Sequence, residues 1–500
     1  MDPIKISVFA DELLERCARR RLGLKATLDE FLPAMARRFG AAAAAVETLT
    51  EDLRKEAFRW GAGSPRLRWV HHPLDVAGRR VGSIAFGYRA PAGPGHRACL
   101  EAVCEELDGV LWNIQTSAIK QRLMERVTRC LTKSVLREAI DEAVGALHAE
   151  IPFRHLGLVY LNDDASGGNR IQYRIYKGRR CVRDSEQRPN RALSRAIGCL
   201  GLDLLNPDRH VVRHSLGFRE GMGFTLSGQA AGARSLGKLV AEVDGGLDTF
   251  GRDLMRIFAN SISQRLIDYN RERRHLAQFF APAVVSELLS DPDYRRKHLS
   301  PRVKPIAILY ADINSFTKLC ERALRRPDRI GEFVDRWSEG AVRIAWERGG
   351  VFDKMVGDCV IIHFGPPFYR GGDGQNAREA LLAAREIQAF TRRLERDPRF
   401  RSLPRKAKLK GLGVAVGINL CPAAIGLFGP NQDFTAFSSG MNQAARLQSK
   451  AGFRETLVME SVVAAMKKAG LARGMRFEGP FEVEVKNVAK PLRYYRLKGR

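Results

Sequence analysis

The stretches PIAILYADINSF (305–316) and GGVFDKMVGDCVIIHFG (349–365) decide the fold of the C-terminal part of this 500-residue chain. Ile306–Ala311 is an unbroken apolar run that ends on Asp312, the pattern of a buried strand. The strand-like runs on either side of Gly357-Asp358 lie too close together for a helical crossover, so they predict an antiparallel hairpin. Working outward, a helix is predicted over 376–395, then a basic stretch Arg399–Lys410 and a buried strand, LGVAVGINL (412–420). In DFTAFSSGMNQAARLQSKAG (433–452), Asn442 enters a helix and Arg446 follows one turn later. The sum is an α+β sequence.

Two aspartates, Asp312 and Asp358, stand at strand ends or turns in apolar frames. A carboxylate there is costly unless hydrated, paired or bound to a cation. Two that converge suit hard divalent cations with oxygen ligands. Each alone also reads as an ordinary cap or turn residue. Asn442 and Arg446, four apart, share a helix face. An amide beside a guanidinium suits a sugar and a phosphate, and an ordinary polar helix face as well.

Taken together these stretches resemble the class III nucleotidyl cyclases, the adenylate/guanylate cyclase catalytic domain. ADINSFTKL (311–319) resembles that family's F-A-D-I-x-G-F-T-x-L, and FDKMVGDCVIIHFG (352–365) its V-K-x-x-G-D-x-x-x-A-x-F hairpin. FTAFSSGMNQAARLQ (434–448) is similar to Y-T-x-x-G-x-x-V-N-x-A-A-R-L, and VEVKNVAKPLRYYRL (483–497) to the closing L-K-G-x-x-x-P-x-x-V-Y-R-L. FFAPAVVSELL (279–289) looks like the segment that leads into such domains. The motifs occur in order over some 200 residues.

The resemblance implies a ferredoxin-like catalytic domain over 301–500 and a role for each matching residue. Asp312 and Asp358 would hold two Mg²⁺ or Mn²⁺ ions, with the Ile313 carbonyl assisting. One ion would activate the ribose 3′-hydroxyl and the other would steady the triphosphate. Amides of Asn314, Ser315, Phe316 and Thr317 would cradle the β- and γ-phosphates. Lys354 and Thr435 match the purine-selecting pair of adenylate cyclases, and a Lys donor suits adenine N1, an acceptor. Asn442 would position the ribose, and Arg446 would stabilise charge on the α-phosphate, worth about 3–4 kcal/mol by analogy with an oxyanion-hole donor. Lys486 matches the triphosphate-binding Lys. In this family the site lies between two catalytic domains, so a complete set implies a homodimer with two equivalent sites. The implied reaction converts ATP to 3′,5′-cyclic AMP and pyrophosphate; the alternatives are a guanylate cyclase and a catalytically silent nucleotide-binding or scaffolding homologue. Ser315, Cys359, His363, Gly440 and Met441 depart from the family pattern without removing any of these side chains.

Upstream, one architecture is used twice. VGSIAFGY (81–88) and LGKLVAEV (236–243) both read as strands, each followed by a Gly-containing loop and a helix, with Gly82 and Gly237 in matching places. LGLVYL (156–161) and IQYRIY (171–176) read as an antiparallel pair. The order resembles GAF-type sensory domains, over 1–118 and again over 119–268, with room for an unidentified sensory ligand. His71, His72 and His155 are lone histidines of the sort usually found satisfied or at the surface. Met255, Phe258, Ile262, Leu266, Tyr269, Leu276 and Phe280 recur near heptad spacing. They predict a coiled-coil-like helical linker over 269–300, a parallel two-helix stalk joining two protomers, in preference to the closing helix of the second sensory domain followed by a surface helix.

Composition bounds the rest. With 83 Lys+Arg against 56 Asp+Glu the formal net charge is +27, which favours an anionic partner. The charge is dispersed and no recognition-helix motif accompanies it, which argues against a nucleic-acid partner. Nine scattered cysteines without a C-x-x-C pair argue against a disulfide framework or a zinc site. The absence of a signal-like start and of an apolar run of roughly 18–20 residues predicts a cytoplasmic protein without a transmembrane segment. Two look-alikes carry little: Gly232 to Lys238 mimics a phosphate loop with Lys238 inside a predicted strand, and Gly371–Gly374 reads as a loop or cap.

Overall fold

The computed structural model describes residues 2–76, 78–91, 95–163, 169–200, 218, 222–227, 235–484 and 491–498. It divides into two compact units, one formed by Met1–Thr132, Arg137–Tyr160 and Gln172–Arg265, the other by Lys133–Leu136, Leu161–Ile171 and Leu266–Arg500.

The first unit opens with helices α1 (Pro3–Arg19) and α2 (Leu24–Phe39), followed by β1 (Ala43–Leu49), β2 (Lys55–Trp60), β3 (Arg68–Val76) and β4 (Arg79–Tyr88). These strands form an antiparallel sheet in the order β2-β1-β4-β3. Helix α3 (His96–Leu131) closes it, burying Leu100, Val103, Leu107 and Leu111 against Phe31, Val46 and Phe86. Helix α4 (Leu136–Glu150) precedes β5 (His155–Asp163), β6 (Asn169–Lys177) and β7 (Arg180–Asp184), then α5 (Arg191–Leu200), β8 (Met222–Ser227) and β9 (Ser235–Glu242). The second sheet runs β7-β6-β5-β9-β8.

Gly82 and Gly237 occupy equivalent places in the two sheets. Gly82 faces Thr48 of β1 and Gly237 faces Tyr160 of β5. A Cβ on Gly82 would lie 2.6 Å from the Glu47 carbonyl, and one on Gly237 would lie 2.2 Å from that of Val159. Both glycines therefore allow the same close approach of backbone. His155 is satisfied by Glu242, 2.7 Å away, whereas His71 is exposed and His72 half-buried. Lys238 lies within β9, as the strand pattern implied; Gly232 lies outside the described residues.

The 118/119 division falls inside α3, a continuous helix of 36 residues. Likewise α6 (Thr249–Ala277) runs unbroken through position 268. Along it Met255, Phe258, Ile262 and Leu266 are buried in the single chain. The stripe expected to face a second copy in a stalk thus has no open face at these positions, as a closing helix requires.

The second unit continues with α7 (Pro282–Leu288) and β10 (Arg302–Ile313). Then come a short helix α8 (Phe316–Leu319), α9 (Pro327–Glu347), the strands β11 (Gly350–Val356) and β12 (Cys359–Phe364), and helices α10 (Gly372–Leu394) and α11 (Leu403–Ala407). The remainder is β13 (Val414–Phe428), β14 (Asp433–Phe437), α12 (Ser439–Lys450), β15 (Thr456–Met459), α13 (Glu460–Lys468), β16 (Arg476–Val483) and β17 (Leu492–Lys498). The sheet order is β11-β12-β10-β13-β15-β17-β16, with β14 paired to β13. Only β13 and β15 run parallel among its described pairs.

Alternation along β10 explains its continuous apolar run. Ala307, Leu309, Ala311 and Ile313 pack with Trp337, Leu381 and Val462 in one cluster. Ile306 and Ile308 turn to the other face, against Leu276, Phe280, Leu288 and Phe434. Both faces are covered, so both parities must be apolar. Among the described residues no helix is long and apolar enough to cross a membrane.

Candidate active site

The two aspartates converge because the hairpin returns beside β10. Asp312 pairs in register with Cys359, and Asp358 is the residue before it, in the turn after β11. The two carboxyl groups interact with each other and are half-buried. Burial, then the neighbouring Asp358, pushes Asp312 up to about 6; burial also raises Asp358. Like charges this close, in a partly dry setting, favour either a shared proton or a cation. The set of hard oxygen donors fits a divalent metal. Among the described residues no cluster of three or more His, Cys, Asp or Glu is arranged for a metal, so the pair and backbone oxygens are what this corner offers. Cys359 does not join it: burial, then Asp312 and Asp358, push its thiol up to about 12, which keeps it protonated.

Just after the strand, Ser315 takes φ 57°, a left-handed conformation that favours glycine. Asn314 faces inward, its amide donating to the Gly413 carbonyl at 3.0 Å and its side-chain oxygen accepting from the Arg454 amide at 3.1 Å. Phe316 and Thr317 begin α8, which has four residues.

A second group gathers across the β11–β14 edge. Lys354 and Thr435 line one cavity of about 660 Å³ with Gln278, Phe279, Asp353 and Phe437. Its position is fixed by the segment leading into the domain. The Phe279 carbonyl accepts from the Phe352 amide at 3.0 Å and from Trp346 Nε1 at 3.1 Å, and the Phe280 ring lies 4.9 Å from that of Phe434. Val356 and Phe437, each two positions beyond Lys354 or Thr435, stand 60% and 58% exposed.

The third group rides on α12. Ser438 caps the helix by accepting from the Gly440 amide. The helix lies directly on β13, where a Cβ on Gly417 would meet the Ala444 carbonyl at 2.4 Å. Asn442 is exposed and Arg446 half-buried on this helix. Gln448, which the sequence reading passed over, interacts with Asp312 and lowers its pKa. No pattern marks such a glutamine in sequence, because the contact depends on how α12 crosses β10. Lys486 lies outside the described residues.

Residues 299–499 match the family model of the adenylate and guanylate cyclase catalytic domain. This part of the chain is a class III cyclase domain. Similar solved structures include the adenylyl cyclase CyaB from P. aeruginosa, 23% identical, covering 40% of this chain and 97% of that one at a TM-score of 0.36. The guanylate cyclase domain of RhGC from Catenaria anguillulae, solved with GTP, is 17% identical, covering 40% and 99% at 0.33. An adenylate/guanylate cyclase/hydrolase from Silicibacter pomeroyi is 22% identical, covering 39% and 97% at 0.30. No curated protein sequence matches the chain. Within one cyclase domain, then, the expected residues form three groups: the carboxylate pair, the Lys354–Thr435 cavity, and the Asn442–Arg446 helix face.

Proposed function

We propose that the cyclase domain converts ATP to 3′,5′-cyclic AMP and pyrophosphate. What carries the choice of ATP is the Lys354–Thr435 cavity, in which an ammonium donor and a hydroxyl line the same space. Lys354 donates to adenine N1, which guanine, protonated there, cannot accept. Asn442 orients the ribose so that its 3′-oxygen is in line with the α-phosphate, and Arg446 takes up charge as that phosphate becomes five-coordinate. Asp312 and Asp358, with the Ile313 carbonyl, hold two Mg²⁺ or Mn²⁺ ions. When bound, these supply activation of the 3′-hydroxyl and charge neutralisation of the triphosphate. The amides of Ser315–Thr317, with Lys486, steady the β- and γ-phosphates.

Two such domains share each site, in a homodimer with two equivalent sites. The exposed apolar Val356 and Phe437 beside the cavity support this reading, since a partner domain would cover them. The N-terminal GAF-like regions act as sensors that bias the dimer through α6 and the 278–281 segment. The test is cyclic nucleotide formation from ATP and from GTP, each with Mg²⁺ and Mn²⁺. Cyclic AMP as the main product, lost in Asp312→Ala and Asp358→Ala, supports the proposal. Cyclic GMP as the main product, or no turnover of either nucleotide, overturns it.

A further inference from the structure

Lys354 discriminates between the purines at N1, but Thr435 beside it does not by itself discriminate at position 6. Lys354 offers only donors, but a hydroxyl can either donate or accept. Turned one way, Thr435 accepts from the exocyclic amino group of adenine; turned the other way, it donates to the carbonyl of guanine. What sets the rotor lies behind it.

Asp353 is the extra residue of a β-bulge: Phe352 pairs with Ile362 and Lys354 with Ile361, leaving Asp353 without a partner on β12. The bulge turns its carboxylate inward, where the side chain is 1% exposed. There it lies 3.4 Å from Nε2 of His363, itself fully buried, and 3.8 Å from the Lys354 ammonium. Burial, then Lys354, pushes His363 down to about 3, so the imidazole is neutral and can donate from Nε2. Burial pushes Asp353 up to about 6, against the pull of Thr435 and Lys354, and Asp433 adds to the rise. The carboxylate is thus ionised at neutral pH. Thr435 interacts with it, yet short of full hydrogen-bond geometry: Thr435 Oγ1 and both Asp353 oxygens are buried without a conventional partner. An ionised carboxylate can only accept, so a hydrogen bond between Asp353 and Thr435 must use the Thr435 proton.

We propose that Asp353, packed beside His363, is a positioning residue for base selection: its carboxylate accepts a hydrogen bond from the Thr435 hydroxyl and turns the hydroxyl lone pairs to the nucleobase, so that the cavity accepts a 6-amino purine and rejects a 6-oxo purine. His363, a departure from the family pattern, is then the counterpart of the bulged aspartate. The inference rests on the ATP reading given above.

The experiment measures kcat/KM for ATP and GTP with the full-length chain, as wild type, Asp353→Asn, Thr435→Val and the double variant. Asn in place of Asp353 can offer Thr435 an N–H, which frees the hydroxyl to donate outward. The ATP:GTP ratio is expected to fall about tenfold, the scale of one hydrogen bond. In a Thr435→Val background the same change should leave the ratio alone. A folded Asp353→Asn protein whose ratio stays within roughly twofold of wild type overturns the inference, as does an equal fall in the Thr435→Val background. Should Asp353→Asn fail to fold, Asp353→Leu combined with His363→Leu removes the pair without leaving a buried charge unmatched. It should show the same fall, and an unchanged ratio overturns the inference. Failure of the ATP reading looks different: wild type itself then lacks the preference, which overturns both.

Discussion

The Trp346 indole donates from Nε1 to the backbone carbonyl of Phe279 at 3.1 Å, tying α9 to the segment that enters the cyclase domain. The same carbonyl accepts the Phe352 amide, so one oxygen joins that segment to the helix and to the strand carrying Lys354. Phe279 also lines the cavity shared by Lys354 and Thr435. Trp346→Phe keeps an aromatic ring but removes the donor. We expect a loss of about 1 kcal/mol in stability, read by urea denaturation. A looser cavity wall should raise KM for ATP more than it lowers kcat. An unchanged KM in a protein destabilised by that amount would show that the tie is structural only.

Ser315 sits at φ 57°, where the family pattern carries glycine. A side chain in that region costs roughly 1 kcal/mol, which glycine avoids. Ser315→Gly should therefore raise Tm by a few degrees, and Ser315→Val should lower it by more, because a branched Cβ tolerates this conformation worst. Thermal denaturation of the two variants beside wild type checks both directions. A Tm order other than Gly above Ser above Val would remove the strain argument.

Much of the cyclase half was legible because its signals are local. The apolar run before Asp312, the turn at Gly357-Asp358 and the one-turn spacing of Asn442 and Arg446 each dictate an element without distant help. What escaped reading depends on packing between elements. Asp353 carries no mark in the sequence, since a bulge leaves the residue order unchanged and alters only the pairing. His363 departs from the family pattern for a spatial reason: its ring lies 3.4 Å from that carboxylate. Gln448 reaches Asp312 only because α12 crosses β10. In the N-terminal half the periodicity of Met255, Phe258 and Ile262 was correctly apolar but silent about its partner; burial within the chain and burial against a second copy ask for the same residues.

Val356 and Phe437 stand exposed beside the cavity, an arrangement that costs solubility unless another surface covers them. A charge at either place would have to be desolvated on assembly. Val356→Glu with Phe437→Glu should shift the chain toward monomer in light scattering and reduce cyclase activity in parallel. Neither position lies in the core, so the variant should fold with a circular dichroism spectrum like that of wild type. A dimer of undiminished stability in the double variant would place the interface elsewhere.

The carboxylate pair makes the sharpest solution prediction. Burial, and then Asp358, hold Asp312 at about 6, above its ordinary 3.8. Between those two values the folded chain binds the proton more tightly than the unfolded chain. This group's contribution to stability is therefore full below pH about 4 and lost as pH rises through about 6. Without metal, Asp312→Asn should raise Tm at pH 7.5 and bring little or nothing at pH 4. A divalent cation competes with the same proton, so the rise in Tm produced by Mn²⁺ should weaken as pH falls through 6 and vanish in Asp312→Asn. Gln448 enters here as the donor that pulls Asp312 down. Gln448→Leu removes that donor and should move the midpoint of the Mn²⁺ effect to higher pH by about half a unit, as loss of one hydrogen bond to the charged form implies. A merely structural glutamine would lower Tm equally with and without Mn²⁺ and leave the midpoint in place. Measuring the Mn²⁺-induced Tm shift from pH 5 to 8 in the two variants separates those outcomes.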